Sequence, residues 1–436
     1  MKVSILGVGY VGLVTAACFA EIGHEVLCFD IDKAKIQKLQ KNISPIYEAD
    51  LTKLIKKNQK RLKFSVNIRE SIEFGDVVFC AVGTPIDKNA DMRLLPVKNC
   101  ARNFAKYLNR DKIFVIKSTV PIGTSQFLKN FIQAEINKQK KSFKFEIASN
   151  PEFLREGSAI KDTLHPNRIV IGTKSKSAIK IMKNLYAPIT RTGCPLLIVK
   201  ETSAELIKYA SNAFLSTKIS FINEIANFSE LVSADIKEVA KGLGLDKRIG
   251  QEFLNAGLGF GGSCFPKDIK ALISQGNKCN YNFKILKAVE SVNINQKEIL
   301  IKKLKEIFPT LKSKTIAIWG LSFKPGTDDI REAPSISIIK KLLEENVQIK
   351  TYDPVASQNV KKILKSKNII CTKNKEEALK NAEALLIVTE WDEFKNFPKE
   401  NFLKLMKNPI ILDGRNIFKP KDFQNSSIKY FSIGQN

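Results

Sequence analysis

The stretch Lys2–Asp30, KVSILGVGYVGLVTAACFAEIGHEVLCFD, decides the fold. Lys2–Leu6 reads as a short apolar strand, Val11–Ile22 as a helix closed by Gly23, and Glu25–Phe29 as a second strand ending at Asp30. Between the first strand and the helix stands Gly7-Val8-Gly9-Tyr10-Val11-Gly12. A GxGxxG match alone is weak, but this one follows a strand and opens a helix, the context that gives it meaning. Gly7 permits a tight turn, Gly9 lets backbone approach a pyrophosphate, and Gly12 lets helix and strand pack closely. The helix N-terminus offers N–H groups to the phosphates. Asp30 stands where a carboxylate accepts hydrogen bonds from the adenosine ribose and repels a 2′-phosphate, and Ile31 rather than Arg follows it. The pattern predicts a dinucleotide site that takes NAD in preference to NADP.

Working outward, Asp76–Val82, Lys112–Ile116, Lys144–Ala148 and Arg168–Gly172 are short apolar runs separated by polar helical stretches. That alternation predicts an open parallel α/β sheet extending to about Lys200. The texture then changes. Glu201–Leu243 and Ala271–Ile307 read as helical, with a glycine-rich loop, Gly257–Lys267, between them. A second α/β block begins near Lys312, with strands at Thr315–Trp319, Gln348–Tyr352, Ala384–Val388 and Pro409–Leu412 but no full glycine fingerprint. The predicted architecture is α/β: two Rossmann-like doubly wound domains joined by a central helical region with a long helix. The expected boundaries are 1–200, 201–300 and 301–436.

Bulk properties exclude several classes. The 436 residues carry a net charge of +27. The excess is mostly Lys, spread along the chain in pieces such as Lys302-Lys303 and Lys361-Lys362. Planar phosphate recognition would favour clustered Arg, so the charge reads as solvated helix faces and no nucleic-acid partner is expected. The eight cysteines form no CxxC pair and the two histidines stand at no metal-ligand spacing, so neither a disulfide framework nor a metal site is expected. No apolar run reaches the roughly 18 residues of a membrane span. A reducing, cytoplasmic setting follows.

The chemistry concentrates in Phe253–Asp268, FLNAGLGFGGSCFPKD. Four glycines bring backbone close to a ligand, and Lys267 would favour the thiolate of Cys264. Lys208 and Asn212 lie four apart in a helical stretch. They could steady an oxyanion together or simply line a solvated face. Glu152 and Glu156, in NPEFLRE after a strand end, could be a base, ligand contacts or loop acids. A nucleophilic cysteine beside NAD suggests aldehyde oxidation through a thiohemiacetal and a thioester.

The motifs, in order, are GVGYVG at 7–12, VGTP at 82–85, KSTVP at 117–121, NPEFLREGSAI at 150–160, KYASNAF at 208–214, GFGGSCFPKD at 259–268 and GLSFKPGTDDIREAPS at 320–335. Over its whole length the chain resembles the UDP-glucose/GDP-mannose dehydrogenase family of nucleotide-sugar 6-dehydrogenases. The resemblance implies a four-electron, NAD-dependent oxidation of a sugar C6 alcohol to a carboxylate. UDP-glucose is the implied substrate, with GDP-mannose or another nucleotide sugar as the alternative. Cys264 is then the nucleophile, Lys208 and Asn212 steady the oxyanion, Asp268 and Thr119 position a water, and Glu152 is the base for thioester hydrolysis. NAD contacts fall on Gly7, Gly9, Val11, Gly12, Asp30, Lys35, Thr84, Thr119, Glu156, Lys267 and Arg331. Substrate contacts fall on Glu152, Phe153, Leu154, Lys208, Asn212, Asn255, Gly257, Gly261, Phe323, Lys324 and Arg415. Arg248 matches an arginine supplied across a homodimer formed by the central helices. Asn150 stands where many relatives have Ser.

Overall fold

The computed structural model describes residues 1–87 and 90–435. It divides into two compact units, one ending at Ser211 and one starting at Asn212. The first holds eight strands: β1 (Lys2–Leu6), β2 (Glu25–Phe29), β3 (Leu62–Ser65), β4 (Val77–Cys80), β5 (Lys112–Ile116), β6 (Phe145–Ser149), β7 (Ile169–Gly172) and β8 (Leu196–Val199). Their order is β3-β2-β1-β4-β5-β6-β7-β8. The first six positions follow the doubly wound Rossmann order, with its switch point between β1 and β4.

Side-chain alternation explains the two layers of helices. Val3, Ile5, Val77, Phe79, Ile113 and Val115 pack in one core with the helix Tyr10–Glu21. Leu6, Val78, Cys80, Phe114 and Ile116 pack in a second core with Phe104 and Leu128. Successive strand residues point to opposite faces, so a strand buried on both sides needs an unbroken apolar run.

The second unit holds β9 (Thr315–Trp319), β10 (Gln348–Tyr352), β11 (Ile369–Cys371), β12 (Ala384–Ile387), β13 (Ile410–Asp413) and β14 (Lys429–Phe431), all parallel, in the order β11-β10-β9-β12-β13-β14. This repeats the Rossmann order. Helices Ile236–Leu245, Phe265–Lys278, Lys284–Gln296 and Ile299–Ile307 belong to this unit. The 31-residue helix Glu201–Leu231 is the predicted long helix.

Three details differ from the sequence reading. Strands β3, β8, β11 and β14 lie outside the predicted set, and all four are sheet edges with partly exposed side chains. The first sheet is not wholly parallel, because β6 and β7 meet in an antiparallel bridge at Ser149 and Gly172. The long helix stops at Leu231, where Ser233 takes a left-handed φ of 56° and Asp235 caps the next helix through Lys237 N–H.

Candidate active site

In the first unit the glycine turn is built as its sequence demands. Gly7 has φ of 101°, and a methyl group on it would lie 2.9 Å from the Ala81 carbonyl. A methyl on Gly12 would be driven into the Gly7 carbonyl. Gly9, in contrast, faces open space, and the helix it precedes has no side-chain cap. An uncapped helix N-terminus beneath a side-chain-free residue fits a pyrophosphate. The Asp30 carboxylate accepts from Val8 N–H at 2.9 Å and from Asp32 N–H at 3.0 Å, which sets it at the edge of the turn. Lys35 lies in the helix that follows, 3.8 Å from Asp32. Thr84 donates to the Thr119 carbonyl at 2.7 Å, so these two loop residues are joined. Tyr10 of the turn hydrogen-bonds to Glu48, whose carboxylate accepts from Gly157 and Ala159 N–H. That bridge ties the turn to the Glu156 loop. Sequence reading missed Glu48, which belongs to no recognisable motif.

A buried polar cluster lies at the C-terminal ends of β5 and β6. Glu152 and Lys208 form an ion pair at 2.8 Å with side chains 6% and 4% exposed. Burial pushes the Glu152 carboxyl up, but Lys208, with Lys117 beyond it, more than offsets this and holds it below the usual carboxylate range. Leu154 N–H donates to its second oxygen at 2.9 Å. Lys117, at the head of the KSTVP motif, is buried, and its desolvated ammonium is pushed down to about 8. It donates to Asn150 Oδ1 at 3.2 Å, which also accepts from Tyr186 Oη at 2.6 Å. Asn150 therefore anchors the buried lysine. Arg168, also missed, stacks 3.8 Å over the Phe153 ring.

In the second unit Cys264 takes the N-cap position of helix Phe265–Lys278, which starts well before the Ala271 expected from sequence. Pro266 in the first turn needs no N–H partner and is pre-set for helical φ. A helix N-terminus carries partial positive charge, so a sulfur anion or an oxyanion formed there is favoured. One turn in, Asp268 is 1% exposed and accepts from Asn212 Nδ2 at 2.7 Å. Lys267 Nζ lies 2.9 Å from the other Asp268 oxygen. The lysine expected beside the thiolate is thus engaged by a carboxylate. The helix end adds a positive potential that the sequence reading did not invoke.

The structure gathers most of the remaining substrate candidates of this unit around one loop. A methyl at Gly257 would meet Arg415 Nη1 at 3.2 Å, and one at Gly262 would meet the Phe323 ring at 2.9 Å. Gly261 packs on the Glu332 backbone, and Gly262 N–H donates to the Arg331 carbonyl at 2.8 Å. Arg415 donates to the Val388 and Phe323 carbonyls at 2.7 and 3.3 Å, and Lys324 lies 5.7 Å from the Phe323 ring. Asn255 is exposed nearby in the chain. The Arg331 side chain reaches outward and pairs with Asp329 at 2.7 Å. Arg248 is not part of this group: its side chain is 89% exposed and pairs with Asp246 at 2.6 Å.

A Rossmann sheet with this glycine turn defines a dinucleotide-dependent oxidoreductase, and NAD is its cofactor. Family models of the UDP-glucose/GDP-mannose dehydrogenase family match three segments: the NAD binding domain over residues 1–190, the central domain over 202–295 and the UDP binding domain over 317–420. The chain belongs to that family. It is 44% identical to the UDP-glucose 6-dehydrogenase YwqF of Bacillus subtilis, covering 100% of this chain and 98% of the relative. Among solved structures it is similar to a UDP-glucose dehydrogenase from Pyrobaculum islandicum, at 34% identity and a TM-score of 0.92, covering 100% and 98% of the two chains. A GDP-mannose dehydrogenase from Pseudomonas aeruginosa matches at 26% identity and a TM-score of 0.54, covering 99% of each chain. No helix among the described residues is long and apolar enough to cross a membrane.

Proposed function

We propose that this chain oxidises the C6 alcohol of UDP-glucose to the carboxylate of UDP-glucuronate, through a covalent intermediate on Cys264. The carrying observation is Cys264 at a helix N-terminus, one turn from a buried Asn212–Asp268–Lys267 network. The higher likeness to UDP-glucose dehydrogenases than to a GDP-mannose dehydrogenase supports the choice of sugar. Bound NAD supplies the hydride acceptor for both oxidations. Gly7, Gly9, Val11, Gly12, Asp30, Lys35, Thr84, Thr119, Glu156, Lys267 and Arg331 are its proposed contacts.

The chain's own groups do the rest. The alcohol loses a proton and a hydride to become an aldehyde. The Cys264 thiolate adds to its carbon, and Lys208 and Asn212, one turn apart on one helix, steady the oxyanion of the thiohemiacetal. Loss of the second hydride leaves a thioester. Asp268 and Thr119 position a water, Glu152 takes its proton, and the C–S bond breaks to return the thiolate. The balance is one alcohol and one water giving one carboxylate, two hydrides and three protons. Glu152 is ionised and ready to accept a proton, but its pairing with Lys208 makes it a weak base until the lysine turns to the oxyanion. Residues 301–436 are proposed to hold the UDP-sugar, with contacts at Glu152, Phe153 and Leu154 from residues 1–200 and at Asn255, Gly257, Gly261, Phe323, Lys324 and Arg415.

We also propose a homodimer through residues 201–300, in the cytoplasm. Phe214, Phe221 and Phe228 recur every seven residues along the long helix and are all exposed, as are Leu231 and Val232. An exposed apolar stripe of that size points to a partner helix. The outward-reaching Arg248 suits a role across such an interface.

The test is stoichiometry. Purified chain with NAD should form two NADH per UDP-glucose consumed, and more slowly or not at all with GDP-mannose. Cys264→Ser should lose steady turnover. One NADH with released aldehyde, or full turnover in the serine variant, overturns the covalent reading.

A further inference from the structure

Three amide side chains hold the backbone of the cysteine loop and a fourth holds one of them, and the reaction above gives them no role. Asn223 Oδ1 accepts Gly257 N–H at 2.8 Å. Gln296 Nε2 donates to the Gly257 carbonyl at 2.7 Å. Asn227 Nδ2 donates to Gln296 Oε1 at 2.9 Å. Asn293 grips Phe260 both ways, accepting its N–H at 2.7 Å and donating to its carbonyl at 3.1 Å.

Two atoms are left over. Asn223 Nδ2 and Asn227 Oδ1 are buried without a partner. One is a donor and the other an acceptor, and they stand four residues apart on one helix, where such side chains meet. Buried polar atoms are rarely left unmatched. The backbone also dictates the orientation of every amide. Gly257 N–H requires the oxygen of Asn223, which leaves its nitrogen. The Gly257 carbonyl requires the nitrogen of Gln296, which turns its oxygen to Asn227 Nδ2 and leaves Asn227 Oδ1. The two remainders complement each other.

We propose that Asn223, Asn227 and Gln296 close a ring of amide hydrogen bonds around Gly257, through a direct Asn223–Asn227 contact or one water, and that this ring positions the loop carrying Cys264. The proposal rests on the reading of Cys264 as nucleophile. The ring pins the loop at a close approach: a methyl on Gly257 would lie 3.1 Å from the Gly414 carbonyl, so a side chain there would push its neighbour aside. Amides grip backbone donors and acceptors without placing a fixed charge near the sulfur. The same long helix carries Asn212, which holds Asp268. Asn212 and Asn223 are about 16 Å apart along the axis at 1.5 Å per residue, so one rigid rod sets both the start of the loop and the helix after it. These amides are positioning residues and touch no reacting atom.

The test is a double-mutant cycle in the full chain. Asn227→Leu and Gln296→Met remove ring members at similar volume. Two rates are read: NADH formation from UDP-glucose, and iodoacetamide alkylation of Cys264 followed by peptide mass. Each single variant should lose about 10- to 100-fold in turnover, and the double variant should be no worse than the poorer single one. Losses that multiply overturn the ring. If the chain oxidises no UDP-glucose, the proposed function fails while the alkylation cycle still tests the ring. Should the variants misfold, losing NAD affinity as well, a crystal structure of the unmutated chain decides. Asn223 Nδ2 and Asn227 Oδ1 within about 3.2 Å, or sharing one water, upholds the ring. Amides turned apart refute it.

Discussion

Replacing Lys208 by Met isolates the energetics of the buried pair with Glu152. The two side chains are 4% and 6% exposed and 2.8 Å apart. Removing one partner of such a pair leaves an uncompensated buried charge, at a cost of about 3–5 kcal/mol. Leu154 N–H still reaches Glu152, and Lys117 still opposes its charge, so the lower end, about 3 kcal/mol, is expected. For a folding unit of this size, 1 kcal/mol shifts Tm by about 2–4 °C, which gives a fall of about 6–12 °C. Calorimetry of the full chain at neutral pH measures it, with the first unit's transition identified by its upward shift on adding NAD. Adding Glu152→Gln to Lys208→Met removes the stranded charge and should recover at least half of the loss. The pH dependence has a defined sign. The Glu152 carboxyl is held below its ordinary value, so its stabilisation is complete above the unfolded value of about 4.3 and vanishes as pH falls through the lower folded value. Glu152→Gln should therefore flatten the acid limb of the stability curve. A Tm within about 1 °C of the parent in Lys208→Met, or a double variant as damaged as the two singles combined, would refute the reasoning.

The two remaining predictions probe other parts. Burial pushes Lys117 down to about 8 while an unfolded lysine titrates near 10.4, so the unfolded chain binds more protons between these values and stability climbs with pH across that window. Lys112 is also pushed down to about 8 by burial, so urea melts from about pH 7.5 to 10 should show a shallower climb in Lys117→Met than in the parent, and an undiminished climb removes Lys117 as a contributor. Phe221→Glu places a charge in the exposed phenylalanine stripe and should convert a dimer to monomer in sedimentation, leaving NAD affinity intact. A sedimentation profile unaltered by the substitution removes the stripe from the interface.

What sequence could show follows from burial. Interior strands such as Val77–Cys80 and Ala384–Ile387 are buried on both faces and leave a continuous apolar run. The edges β3 and β14, LKFS and KYF, have one side in water and tolerate lysine, so no run marks them. Edges β8 and β11, LLIV and IIC, are apolar throughout, and of these the longer LLIV run is legible as a strand. The glycine turn was readable because each glycine answers a steric demand at a fixed offset. The start of the cysteine helix was not, because the preceding glycines mask the point where helical φ begins. Lys117 stood in a recognised motif, yet nothing local to KSTVP reveals that it will be buried beside Asn150. The amides at 223, 227, 293 and 296 carry no local signal at all, because their partners are backbone groups of a distant loop or, for Asn227, the side chain of Gln296.

The two Rossmann sheets share one strand order, and a single pair of residues shows why they need not share a ligand. Asp30 and Asp353 each follow the second strand of their sheet. Asp30 accepts from two backbone N–H groups and keeps a partly exposed carboxylate. Asp353 is buried and accepts from six donors: Leu321 and Ser322 N–H, the Ser322 hydroxyl and the Trp391 indole on one oxygen, with Val355 and Ala356 N–H on the other. A carboxylate has about four lone-pair sites, so Asp353 has none left for ribose hydroxyls. The turn above it offers no second chance. Gly320 keeps a left-handed φ of 89°, and Leu321 N–H reaches Asp353 as Val8 N–H reaches Asp30, but Ser322 stands where the first sheet has Gly9, and its N–H points at Asp353 as well. The second sheet therefore lacks the dinucleotide signature at both ends, at the acid and at the turn, although its strand order is that of the first six strands of the other sheet. Phe323, Lys324 and Arg415, the proposed sugar-nucleotide contacts, follow β9 and β13 of this second sheet.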